Sequence, residues 1–147
     1  MATYTPYWFG NGLLNVFKGN IDLDSDTFKL SLHTNTYTPN QDTHDYRDDL
    51  TNELASGNGY TTGGVALASL ALTYDAATNQ VRFDVADPSW TFTASKTWRW
   101  GVISKIRGGA ASADELLAYL DPGGDVTASG AYTIQVDSLG LLYVTAS

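Results

Sequence analysis

The chain reads as an all-β protein: an antiparallel β-sandwich or jelly-roll-like domain of about eight strands, with a short N-terminal helix and a long irregular excursion. Three observations predict this. First, 9 Tyr, 5 Phe, 4 Trp and frequent Thr supply the aromatic and β-branched side chains that suit a pleated surface, while 14 Gly punctuate turns. Second, short runs of alternating apolar and polar residues recur between clusters of Gly, Pro, Asn and Asp. Third, long Glu/Lys/Leu-rich helical stretches are missing. At 147 residues, one domain spanning 1–147 is expected.

The elements follow in order. Leu13, Leu14, Val16 and Phe17 sit at the spacing of a short helical turn that Gly19 stops, so residues 1–20 form an N-terminal arm plus a small helix plugging one end of the core. Phe28, Leu30 and Leu32 alternate with Lys29, Ser31 and His33 as a strand with one buried face. Residues 34–63 are polar and follow neither period; this segment is expected to be a long loop or arm, with a short helix possible around 47–55. Runs 65–74 and 80–86 flank Asp75-Ala-Ala-Thr-Asn79 as a hairpin. A short strand from Trp90 to Thr93 follows. The next strand, 97–106, sets Trp98, Trp100, Val102 and Ile106 on one face, and 116–120 makes another. Runs 132–136 and 141–145 close the chain as a terminal hairpin around Asp137-Ser-Leu-Gly140.

Composition excludes several functions. With 16 acidic and 8 basic residues the net charge is −8, and the pI is about 4.3, so no nucleic-acid partner is expected. The absence of Cys removes disulfides, thiol catalysis and zinc-thiolate sites. The N-terminal Met-Ala-Thr-Tyr-Thr-Pro has no basic region or apolar run of a signal peptide. No stretch approaches the ~20 apolar residues of a membrane span, so no membrane partner is expected, and synthesis is expected to yield a soluble cytoplasmic product.

Chemistry-bearing motifs are weak. Asp22, Asp24 and Asp26 alternate, but the calcium-loop pattern that needs Gly sixth and Glu twelfth finds Thr27 and His33 there. These carboxylates are read as a solvated strand edge that deters edge pairing. Asp42, His44, Asp45, Asp48 and Asp49 cluster without a motif that orders them. No G-x-S-x-G elbow, phosphate loop or singled-out carboxylate pair occurs. No catalytic residue, metal site or cofactor is assigned, and the chain is not expected to be an enzyme.

Interaction surfaces are a better prospect. Tyr7, Trp8 and Phe9 precede any regular element and suit an arm that docks on a neighbour. Trp98 and Trp100 share a face with Val102 and are read as core. Half the acids lie between Asp22 and Glu53, whereas Lys96, Arg99, Lys105 and Arg107 occupy a stretch without an acid. Asp45, Asp48 and Asp49 on one side, and Arg99 and Arg107 on the other, are thus candidate complementary interface residues for repeated assembly.

One set of motifs carries a resemblance. Gly19-Asn-Ile-Asp-Leu-Asp-Ser-Asp-Thr-Phe-Lys-Leu-Ser-Leu32, Tyr37-Thr-Pro-Asn-Gln-Asp-Thr-His-Asp45, Gly59-Tyr-Thr-Thr-Gly-Gly-Val-Ala-Leu67, Asp87-Pro-Ser-Trp90 and Leu117-Ala-Tyr-Leu-Asp-Pro-Gly-Gly124 together resemble a family of small tailed-bacteriophage virion structural proteins. The resemblance covers roughly residues 10–145. It implies a structural component present in many copies, foremost a capsid decoration (cement) protein of the head. It would be assembled in the bacterial host cytoplasm, located in the virion, and partnered by the major capsid protein or other virion proteins. Analogy with cement proteins suggests a homotrimer. A tube- or ring-forming tail or baseplate component is the alternative. A glycan-binding receptor-recognition module using Trp8 and Tyr60 comes next, and a hydrolase last.

Overall fold

The computed structural model describes residues 2–147. Among them, the chain is all-β apart from one short helix. The order is β1 (Thr5–Trp8), α1 (Gly10–Phe17), β2 (Phe28–His33), β3 (Val65–Ala66), β4 (Ala71–Asp75), β5 (Gln80–Asp84), β6 (Ser89–Trp98), β7 (Trp100–Lys105), β8 (Leu116–Asp121), β9 (Val126–Thr133) and β10 (Leu142–Thr145). A five-stranded sheet runs β1-β8-β7-β2-β3, a three-stranded sheet β10-β5-β4, and β6 and β9 form a two-stranded ribbon. Every pairing is antiparallel.

The five-stranded sheet divides two cores, because alternate residues point to opposite faces. Leu30 opposite Ile103 and Leu32 opposite Gly101 face one way. On that side they join Phe83 and Leu142 of the small sheet and Trp90, Phe92 and Trp98 of the ribbon in the main core. Ser31 opposite Val102 and His33 opposite Trp100 face the other way. There Phe9, Tyr37, Val102 and Leu116 make a second core. A register shift between Ile103 and Ser104, where β7 meets β8, sets Leu116 on the second face and Ala118 and Leu120 on the first.

Helix α1 ends as the sequence predicts: Lys18 N–H donates to Leu14 O, and Gly19 adopts φ 75°. Gly12 lets the helix touch β8 directly, since a Cβ there would lie 2.5 Å from Leu116 O. The β4–β5 hairpin also forms as predicted, with Asp75 opposite Gln80.

Several expectations are corrected. Residues 5–8 are a strand along β8, not a free arm, because Tyr7 stacks on its partner Tyr119 at 5.2 Å. The 65–74 run breaks at Ser69, whose φ is 55°, and its halves join different sheets. The 97–106 strand breaks at Arg99, whose N–H donates to His33 O at 2.7 Å. Trp98 therefore enters the main core, while Trp100 packs against the second. No terminal hairpin forms: β10 pairs with β5, and residues 132–133 stay with β6. Asp22, Asp24 and Asp26 close a turn instead of an edge: Asp22 Oδ1 accepts Asp24 N–H and Asp26 Oδ2 accepts Asp22 N–H.

Candidate functional site

The first part of the excursion, with Tyr37, Leu50 and a short 3-10 turn at Arg47–Asp49 in place of a longer helix, folds over the second face of the large sheet, and the rest follows the edge of β2 to bring Leu54 and Tyr60 into the main core. Tyr37, Leu54 and Tyr60 are buried on the way. The covered face explains why β2 is buried on both sides, and why His33, expected on a solvated face, is fully buried. Its Nδ1–H donates to Thr51 O at 2.8 Å, which leaves Nε2 to accept the Ser31 hydroxyl at 2.8 Å. Burial pushes the His33 imidazole below its ordinary value, and the Thr51 carbonyl and Glu53 only partly offset that. The Tyr60 hydroxyl donates to Glu53 at 2.7 Å and accepts Leu32 N–H at 2.9 Å. Glu53 also accepts Gly63 N–H. These groups knit the excursion to β2.

The acidic candidates serve the same end. The Asp49 carboxylate accepts the N–H groups of Asp45 (2.8 Å) and Tyr46 (3.2 Å), and the Asp45 bond foremost holds its carboxyl below the usual range. Burial and the neighbouring Asp49 push the Asp45 carboxyl up. Asp48 is exposed. Arg47, between them, reaches the buried Asp114 at 2.7 Å.

The basic candidates are neutralised within the chain. Arg99 pairs with Asp121 and lies over the Trp100 ring, 3.8 Å from its centre. Arg107 pairs with Glu115 through two hydrogen bonds, and Lys105 with Asp26 at 2.7 Å. Lys96 donates to Ala55 O. The acid-free stretch thus finds counter-charges for Arg99, Lys105 and Arg107 within its own fold. Charge segregation along the sequence hides these pairs, because the partners lie 8 to 79 residues away.

The aromatic trio divides. Phe9 is fully buried in the second core and is not an interface residue. Tyr7 is 40% exposed. Trp8 is half-buried, and its Nε1–H donates to Tyr143 O at 3.1 Å, tying β1 to β10. Pro6, Tyr7, Trp8, Gln41 and Tyr143 border a shallow depression of about 340 Å³. Tyr60 is only 2% exposed and cannot stack on a sugar.

An open apolar groove lies on the small sheet. Antiparallel partners share a face, so Leu72, Phe83 and Leu142 form one row and Tyr74, Val81 and Val144 the next. The first row enters the core at Phe83; the second emerges, with Tyr74 59% exposed. Helix α1 lays Leu13, Val16 and Phe17 beside them, leaving a groove of about 140 Å³ lined almost wholly by carbon. Phe17 is 74% exposed. Period-two alternation marks such a sheet face whether or not anything covers it.

Comparison with protein-family models, curated proteins and solved structures finds no match to this chain.

Proposed function

We propose that the chain is a bacteriophage virion structural protein that decorates the capsid, binding assembled heads in many copies and bracing neighbouring capsid subunits. It acts by adhesion and not by catalysis, and its partners are the major capsid protein and its own copies. The observation that carries this reading is the apolar surface left open on a braced scaffold: Phe17 and Tyr74 are both more than half exposed, with Leu72 and Val81 about 40% exposed beside them. Large exposed apolar patches mark interaction sites, since water penalises them until a partner covers them. The sequence resemblance gives that partner its class. Modest contacts suffice on a shell, because many copies engage together.

Purified chain mixed with undecorated capsids of the encoding phage tests this. Co-sedimentation to saturation, with capsids that withstand more heat, is the expected result. Rings or tubes forming without capsids, and no co-sedimentation, would transfer the chain to the tail.

A second reading rests on Tyr7, Trp8 and Tyr143 around their shallow depression, an arrangement able to stack on sugar rings. Glycan-array binding lost in Trp8→Ala would favour it; a blank array removes it.

A further inference from the structure

The outer strand of the small sheet has an open edge whose chemistry specifies its occupant. Ala146 N–H donates to Asn79 O at 2.7 Å, in register with β10 and β5, where Val144 faces Val81 and Leu142 faces Phe83. In an antiparallel ladder a residue's N–H and C=O point to the same neighbour, and successive residues alternate. Val81 and Phe83 therefore bond to β10, and Gln80, Arg82 and Asp84 bond to β4 through Asp75, Thr73 and Ala71. The N–H and C=O groups of Leu72 and Tyr74 are left pointing outward. No backbone or side-chain group among the described residues bonds them.

Natural sheets guard such edges with Lys, Pro, bulges or a covering loop. Here Ala71 to Tyr74 are all exposed and none is charged or Pro. The one residue of the strand charged at neutral pH, Asp75, is neutralised by Arg82 at 2.8 Å. For a chain of net charge −8, that makes this edge one where a second copy meets no like charge.

We propose that β4 pairs antiparallel with β4 of a second copy, about a two-fold axis through Thr73. In this register Leu72 lies opposite the partner copy's Tyr74, and the reverse. Both positions carry outward amides, so each pair exchanges two hydrogen bonds, four in all. Leu72 and Tyr74 also share the apolar face with Val81, so two three-stranded sheets become one six-stranded sheet with a continuous apolar surface. Asp75 falls opposite Ala71 and meets no carboxylate. A three-fold assembly cannot pair an edge with itself, so this contact makes a dimer and replaces the trimer suggested by analogy. The inference does not rest on capsid binding, which co-sedimentation reads separately.

The full chain is tested by light scattering and by cross-linking. The wild type is expected at twice the 15.8 kDa chain mass. Tyr74→Pro removes an outward N–H from each copy while sparing every bond to β5, and is expected to weaken dimerisation at least about tenfold. Leu72→Lys, which introduces like charges at the edge, should do the same, with unchanged circular dichroism in both. Thr73 faces its own copy in a non-hydrogen-bonded pair, where Cα atoms lie about 4.5 Å apart, within disulfide reach. The chain has no cysteine, so Thr73→Cys should oxidise to a single covalent dimer while Ala77→Cys, at the hairpin tip, does not. A wild-type monomer at high concentration, a dimer untouched by Tyr74→Pro and Leu72→Lys, or a trimer lost on either substitution would overturn the proposal.

Discussion

At the scale of single residues, His33 shows how burial turns a surface type into a structural one. The imidazole is held neutral between the Thr51 carbonyl and the Ser31 hydroxyl. Its pKa in the folded chain lies below the ordinary 6.5. Between those two values the unfolded chain binds more protons, so stability rises with pH. The His33 contribution is therefore fully present above 6.5 and is lost as pH falls toward the folded value. Urea unfolding midpoints measured across this window should drop with acid, and His33→Asn should flatten that part of the slope. An unchanged slope would place its cause elsewhere. Alternation along 28–33 marks the apolar face, yet it is silent about His33, because what covers the second face is a segment without periodicity of its own.

At the scale of elements, two attachments organise the molecule around the large sheet. Helix α1 seats on β8 through Gly12, where Leu116 and Leu117 carbonyls stand against any added carbon. Gly12→Val should cost about 1–3 kcal/mol, read as a lowered midpoint in denaturant, since the helix must lift from the sheet. The excursion is pinned by Tyr60, whose hydroxyl satisfies both Leu32 N–H and Glu53. Tyr60→Phe should cost about 1–3 kcal/mol, because a buried N–H loses its partner. Faster hydrogen exchange at Leu32 would accompany it. Elements with a strong local signature, the β4–β5 hairpin and the helix stopped at Gly19, are legible in the sequence. The final hairpin is not what its turn residues suggest: Leu142 and Phe83 meet across the sheet. The local turn does form, with Gly140 N–H donating to Asp137 O, but beyond it Leu142 is buried in the main core. Nor does alternation report breaks as short as the single residue Arg99 or the four residues 67–70 around Ser69, each of which sends the chain into another sheet.

At the scale of the whole molecule, five of the eight cations are paired within the chain and apolar surface is left outward. The five ion pairs among the described residues join segments of one chain, four of them partly buried on both sides and the fifth, Arg107–Glu115, buried on the acid's side. Assembly is thus expected to depend weakly on salt, since exposed charges are the ones that salt screens. Dimer and capsid affinities measured at low and high ionic strength should differ little; a steep loss with salt would restore the charged surfaces to the interface. The candidates split along the same line. Tyr7 and Trp8 reach the surface and Phe9 does not, while Leu72, Tyr74 and Phe17 are apolar residues left exposed.

The central claim, that the chain works as a many-copy component of the phage head, is tested most directly by quantitative mass spectrometry of purified virions whose heads and tails have been separated. The chain is predicted in the head fraction, at a fixed ratio to the major capsid protein. Its absence from virions, or its confinement to tails, would contradict the account.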